Sequence, residues 1–525
     1  MPIGSEYDQV LGEKDDRIAA ALDAGNHNKT SVYNVRGYQP VNAELSQVPV
    51  RVTGTIPADL EGVYLRNGTN MQFEKTHIWM HAFNGAGMLH EVQIRNGSAI
   101  YSNTYIRTPR FQFEEKMKRE VYLNFSDMAG AGRQGLEKLR LVEEKKRNGL
   151  IPNFSPLESS PASTSIQYYA GHLYCLQETG YAFRLLHRVR DGRLLLDGSG
   201  HLETWDGAWD GPFSAHPRVD PETGDFYSVS NDRLTNRIVL GRLSGGKPTK
   251  CQTIYQQTDE TGSMAWVHDC ILTENYVVFP DISMRYSRAA LAGNTKSAYN
   301  FDPNYKMRWG LIPRDPQPGD SVRWFDTNTA AVIWHVVNGW EQTGPDGRKQ
   351  IVLFSPKFHT YPSEVPIHTP LEPPAKLTKW VLDVGTGTVI EERVLLEHGY
   401  ERPSLNLQYV SKKSRYAYLL DEEREGYMGK GVLKYDLEKE KEVFYFDYGE
   451  YSGGEALFVP RTNCKGEDDG YLLELLMADS KAELIIIDAK SMTECARLHL
   501  PQRVPFGVHA CWLDNEKLRS LKDTA

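Results

Sequence analysis

From about residue 48 onward the chain consists of short runs in which apolar and polar positions alternate, broken by Gly, Asp, Asn and Pro. Runs at 165–169, 172–177, 225–229, 276–280 and 331–337 keep this period of two, the mark of half-buried strands. Near the C-terminus three runs, 470–477, 482–488 and 496–500, are joined by turns at 478–481 and 489–493. Strands that return so quickly pair antiparallel. Such meanders recur roughly every 40–70 residues, with few long helical patterns and no strict repeat. The pattern predicts an all-β fold built as a radial array of sheets, a β-propeller.

Two stretches depart from it. Residues 114–148 read as helix and loop, and 281–318 is an irregular insertion rich in Arg, Asn, Pro and Tyr. Long ordered insertions on a rigid scaffold often build binding sites. Residues 1–45 are polar, with a helical pattern at 16–23, and are expected to be an extension wrapping the body. Residues 46–525 are expected to form one catalytic domain, with insertions at about 110–160 and 281–320 forming a dome.

Composition narrows the function classes. The 525 residues carry 60 Lys+Arg against 69 Asp+Glu, a net charge of −9, which argues against a general nucleic-acid binder. No apolar run approaches the roughly 18–20 residues of a membrane span. The N-terminus has no basic segment followed by an apolar one, so a cytoplasmic protein is expected. Six scattered cysteines without a CxxC make a disulfide framework or thiolate zinc site unexpected.

Several motifs are weak. Gly130-Ala131-Gly132-Arg133-Gln134-Gly135 fits GxGxxG, but the downstream chain is antiparallel in character and Glu158 lies in a Pro- and Ser-rich loop. His77 and His81 have helical metal-pair spacing in a strand-like segment, which favours structural histidines. A stronger signal is the set His216, His268, His335 and His509, each at the start of or within an apolar strand pattern and separated by 52, 67 and 174 residues. One such histidine is ordinarily a core residue. Four in different meanders can meet on a propeller axis, where neutral imidazoles suit Fe, Zn, Cu or Ni rather than Mg or Ca. Glu178, Glu401 and Glu455 stand in otherwise apolar or Gly-rich contexts. Carboxylates of this kind typically accept the second ring N–H of a ligating histidine.

Taken together, the segments LEGVYLRNG (60–68), HAFNGAGMLH (81–90), NTYIRT (103–108), Ala215-His216-Pro217, His268-Asp269, ERPSLN (401–406), Gly453-Gly454-Glu455 and LPQRVPFGVH (500–509) resemble the carotenoid cleavage oxygenase family, which includes lignostilbene and resveratrol dioxygenases. The resemblance runs collinearly over about residues 48–515. It implies a seven-bladed propeller with a loop-and-helix dome over an axial metal site. It also implies one Fe(II) held by His216, His268, His335 and His509, with O2 as co-substrate and no organic cofactor. Glu178, Glu401 and Glu455 would then support His268, His335 and His509, leaving His216 without a carboxylate. The usual HWFDGDGM segment is altered here to carry Ala82, Asn84 and Ala86, none at a ligand position.

The substrate is less constrained. Residues 133–148, RQGLEKLRLVEEKKRN, read as a solvated helix, not a membrane-insertion face. That predicts no strong membrane association and a small, more soluble substrate, which the resemblance to the stilbene-cleaving members implies is an aromatic alkene. The stilbene-cleaving branch holds a 4-hydroxyl with a Tyr and a Lys, and a lysine beside a phenol favours phenolate. Tyr105 and Lys138 are the candidates, with Lys145 or Lys146 as alternatives for the lysine. The leading expectation is cleavage of 4-hydroxylated stilbenes or phenylpropenes, of resveratrol or isoeugenol type, to aromatic aldehydes. The alternatives are an apocarotenoid oxygenase and, in another class, a non-catalytic propeller serving as an interaction module with a large apolar surface patch.

Overall fold

The structure, a computed structural model, describes residues 36–73, 81–233, 235–257, 263, 266–292, 297–362, 374–422 and 428–522. Most of the expected N-terminal extension, including the helical pattern at 16–23, lies outside the described residues. Its last part runs along the body, where Asn70 exchanges hydrogen bonds with both the amide and the carbonyl of Val41.

The fold is all-β. Among the described residues, strands form one nine-stranded sheet, one seven-stranded sheet, three four-stranded sheets and two small hairpins. The nine-stranded sheet contains both ends of the domain: the strand Ala510–Asp514 pairs antiparallel with Gly62–Asn70, and Val48–Gly54 pairs with Thr493–His499 on one side and Ser98–Tyr105 on the other. Early and late strands of the chain therefore lock the body closed.

The core lies between the faces of consecutive sheets. One cluster joins Val63, Leu65 and Leu89 to Ile166, Leu173 and Phe183, and another joins Val229 and Leu240 to Leu272, Phe279 and Ile312. Strands covered on both faces read as continuous apolar runs, not alternating ones. Gly470–Met477 is buried at every position, whereas the outer strand Lys441–Asp447 is mostly exposed.

Three helices interrupt the sheets: α1 (Pro109–Met117), α2 (Phe125–Met128) and α3 (Arg133–Arg147). The GxGxxG segment lies in the turn from α2 into α3. A side chain at Gly135 would collide with the Asp127 carbonyl, so this glycine serves close helix packing. The stretch expected to be irregular at 281–318 instead contains strands Met284–Tyr286, Tyr299–Phe301 and Arg308–Pro313. Among the described residues, no helix is long and apolar enough to cross a membrane.

Candidate active site

The four histidines occupy equivalent places in different sheets. His216 precedes the strand Arg218–Val219, His268 precedes Ile271–Leu272, His335 precedes Asn338–Thr343 and His509 precedes Ala510–Asp514. This corrects the reading of strand over 331–337: apart from a bridge at Val332, that segment makes no ladder. The reason is geometric. Where strands splay from a common centre their ends have no neighbour to pair with, and their side chains turn inward.

There the rings meet. Ring centroids of His216 lie 4.4 Å from His268, 5.0 Å from His335 and 4.5 Å from His509. His335 lies 5.1 Å from His268 and 5.2 Å from His509. One ring nitrogen from each of His216, His335 and His509 falls within 4.8 Å of the others. His268 stands against this triad without belonging to so tight a group. The Nε2 atoms of His216, His335 and His509 are buried without a hydrogen-bond partner. Burial and the neighbouring imidazoles push His216 and His335 well below the ordinary histidine range, so both are neutral. Converging, neutral and unpartnered imidazole nitrogens fit a transition-metal ion and give little to a hard cation.

Each Nδ1 on the opposite side of three rings meets a glutamate. His268 Nδ1 donates to Glu178 Oε2 at 2.6 Å, His335 Nδ1 and Glu401 Oε2 are 2.5 Å apart, and His509 Nδ1 donates to Glu455 Oε2 at 3.2 Å. The three carboxylates differ electrically. Burial would raise Glu178, but His268 and Arg233 outweigh it and hold Glu178 below the usual range. Burial likewise opposes ionisation of Glu455, and His509 overcomes it. At Glu401 burial wins and pushes the group up to about 7. His268 is the mirror of Glu178: burial would lower it, and the Glu178 charge raises it.

His268 and His335 also line a cavity of about 700 Å³. Its walls are aromatic in sequence: His268 lies 5.3 Å from Trp334, Trp334 lies 4.8 Å from Trp266, Trp266 lies 4.6 Å from Tyr299, and Tyr299 stacks on Phe125 at 5.4 Å. His81 follows at 4.7 Å from Phe125 and lines the cavity too, pushed down to about 3 by burial; His77 lies outside the described residues. The site is thus a cluster of four imidazoles, of which His268 and His335 reach the floor of a largely apolar, flat-walled chamber and His216 and His509 stand in ring contact with them, an arrangement suited to planar conjugated molecules.

Residues 38–514 match the family of the retinal pigment epithelial membrane protein, RPE65. The chain belongs to this family, that of the carotenoid cleavage oxygenases. Carotenoid 9,10(9',10')-cleavage dioxygenase 1 of Arabidopsis thaliana is 28% identical over 514 residues, covering 92% of this chain and 90% of the relative. A carotenoid cleavage oxygenase of Mycobacterium tuberculosis is 26% identical over 520 residues, covering 90% of this chain and 95% of the relative. Among solved structures, the lignostilbene dioxygenase of Pseudomonas brassicacearum superposes with a TM-score of 0.76 at 22% identity, covering 92% of this chain and 99% of the other. A cobalt-substituted Synechocystis apocarotenoid oxygenase superposes with a TM-score of 0.73 at 24% identity, covering 91% and 97%. These structural likenesses establish the fold.

In this family member, the two residues expected to hold a phenol do not line the cavity. Tyr105 Oη accepts from Asn70 Nδ2 at 2.6 Å and donates to the Met71 carbonyl at 3.3 Å, in a cluster with Met88 and Phe111; burial pushes it up to about 12. It lies at the inner end of a strand, facing the N-terminal segment. Lys138 pairs with Asp127 at 2.6 Å. The residues of α3 that line the cavity are Leu139, Val142, Glu143 and Lys146, a helical stripe that Lys138 misses by one position. α3 is therefore solvated on one face only, and among the described residues Lys146, not Lys138, is the lysine at the cavity.

Sequence reasoning missed three contributors. Trp266 Nε1 and Arg233 Nη2 donate to Glu178 Oε1 at 2.8 and 3.0 Å, and the Trp334 ring packs against that of His268 at 5.3 Å. Trp266 stands two positions before His268 and Trp334 one before His335 in the sequence, which was the available signal. Arg233 carried none.

Proposed function

We propose that this chain is an iron-dependent dioxygenase that cleaves a C=C bond of a conjugated alkene with O2 to give two carbonyl products, and that its architecture is a seven-bladed propeller. The blade count is supported by the sheet pairings. The strand Thr388–Ser404 gives its first part to Lys376–Asp383 and its last to Tyr416–Asp421, and Val48–Gly54 is shared in the same way. Dividing the two large sheets at these strands, and adding the three four-stranded ones, makes seven units.

The observation that carries the catalytic reading is the convergence of unpartnered imidazole nitrogens of His216, His335 and His509 at the floor of an aromatic cavity that His335 and His268 line. His216, His268, His335 and His509 would hold the iron, which when bound supplies the redox chemistry that O2 needs to react with an alkene. The protein does the rest. Glu178 and Glu455 fix the Nδ1 tautomers, so that Nε2 faces inward. Trp266, Trp334 and Tyr299 hold a planar chain against the floor and exclude water. A non-catalytic interaction module leaves this arrangement without a purpose.

The apocarotenoid type of substrate is favoured over the 4-hydroxystilbenes, because neither Tyr105 nor Lys138 lines the cavity and the two relatives named from sequence, at 28% and 26% identity, are carotenoid-cleaving oxygenases. A stilbene reading keeps one support: Lys146 lines the cavity and its partner Glu143 is half exposed, leaving an ammonium able to turn toward a phenol. Iron analysis and parallel assays with an apocarotenal, resveratrol and isoeugenol test the proposal. One iron per chain and cleavage of the apocarotenal are expected. Full activity in an iron-free preparation would overturn the catalytic reading, and preference for resveratrol would overturn the choice of substrate.

A further inference from the structure

Beside the imidazoles, and not lining the cavity, lies an ion pair that is buried at Asp269 and partly exposed at Arg218. Arg218 Nη2 donates to both oxygens of Asp269, at 2.7 and 2.6 Å, and Arg218 Nε donates to the Cys270 carbonyl at 2.8 Å. Asp269 is 2% exposed. Its Oδ1 also accepts from the Cys270 amide at 2.7 Å, and its Oδ2 accepts from the Val336 amide at 3.0 Å.

The positions of these groups along the chain give the pair its meaning. Arg218 follows His216 by two residues, Asp269 follows His268 directly, and Val336 follows His335 directly. One carboxylate thus ties together three of the four histidine-bearing segments, which come from three different sheets. Other side chains fasten single segments: Ser165 Oγ donates to the Ala215 carbonyl, Asn231 Oδ1 accepts from the Val267 amide, and Ser355 Oγ donates to the His335 carbonyl. His216 has the greatest need of such a tie. Its ring has no carboxylate partner, whereas those of His268, His335 and His509 each have one.

We infer that Arg218 and Asp269 are positioning residues for the metal site: their ion pair sets the spacing of the His216, His268 and His335 segments, so that the ring nitrogens converge at the distances one metal ion requires. Arg218 Nη2 meets both carboxylate oxygens while Nε holds the adjoining Cys270 carbonyl, and a planar guanidinium held at two of its nitrogens is fixed in direction as well as distance, which a single hydrogen bond does not achieve. In this setting a buried ion pair acts as a register device. The inference rests on the metal-site reading proposed above.

Removing one partner leaves a buried charge alone, so the test uses the double variant R218M/D269N, in which neither charge remains, with R218K as the conservative companion. Cobalt(II) affinity is measured by chelator competition, the ligand-field spectrum is recorded, and the melting temperature is followed before metal is added. The double variant is expected to melt within a few degrees of the parent, to bind cobalt about 10–100-fold more weakly, and to show a shifted spectrum. R218K keeps the charge but not the fork and is expected to weaken binding several-fold. Parental affinity and spectrum in the folded double variant would overturn the inference, as would affinity that falls only in step with melting temperature. If the double variant does not fold, R218K decides: parental affinity overturns the inference, and weakened affinity with parental melting supports it. Failure of the parent itself to bind metal would instead remove the metal-site reading.

Discussion

The floor and the helical wall of the cavity are held together across very different lengths of chain. On the floor, His268 pairs with Glu178 over 90 residues, His335 with Glu401 over 66 and His509 with Glu455 over 54. In the helices that carry the wall, Arg110 pairs with Glu114 over 4 residues, Lys138 with Asp127 over 11, on the side away from the cavity, and Lys146 with Glu143 over 3. A floor contact forms only after whole sheets have docked, so its geometry belongs to the fold and no single segment can adjust it. A wall contact forms within one helical stretch and can change while the sheets stay as they are. On this division, the proposed function puts the capacity for chemistry in the floor and the choice of alkene in the wall.

The sharpest way to break the division is to remove floor nitrogens. His216→Ala, His335→Ala and His509→Ala each delete one member of the tight triad, and each is expected to abolish both metal retention and alkene cleavage while the protein stays folded. Elemental analysis with product chromatography checks this. A variant that keeps one metal per chain would show that the floor does not act as one unit.

An intermediate effect is expected one step outward. Glu178→Gln should weaken metal binding by about 10–100-fold, the usual range for partners of ligating histidines. Glu178 should matter most, because it also receives Trp266 and Arg233. Glu455→Gln should fall at the low end, since its bond to His509 is longer, at 3.2 Å. Chelator competition ranks the two, and the reverse order would show that Arg233 and Trp266 add nothing to the hold of Glu178 on His268.

The smallest effects belong to the wall. Lys146→Met should change the ratio of kcat/KM between an apocarotenal and resveratrol by a few-fold with metal content unaltered. Lys138→Met should leave that ratio alone, because Lys138 is engaged by Asp127 away from the cavity. If Lys138→Met moves the ratio and Lys146→Met does not, the helical stripe has been misjudged.

The same division explains what could be read in advance. The floor residues were legible because each is an anomaly: a histidine or glutamate in an apolar or Gly-rich context stands out one residue at a time. The wall residues were not. α3 is charged along its whole length, and which lysine faces inward depends on a rotation that the packing of α2 against Gly135 helps to fix. Tyr105 matched a motif, yet Asn70 and Met71 hold its hydroxyl. Arg233 gave no local sign at all, because its partner Glu178 lies 55 residues away.

By itself, the order of residues determined the β character, the absence of long apolar runs, and which side chains are chemically out of place in their surroundings, since each of these depends on near neighbours. Tertiary structure decided that the imidazoles meet, that the ion pair of Arg218 and Asp269 spans three of their segments, and that Lys146 rather than Lys138 lines the chamber. Those facts depend on how sheets and helices are rotated and docked against one another, a relation among distant parts of the chain that no local pattern encodes.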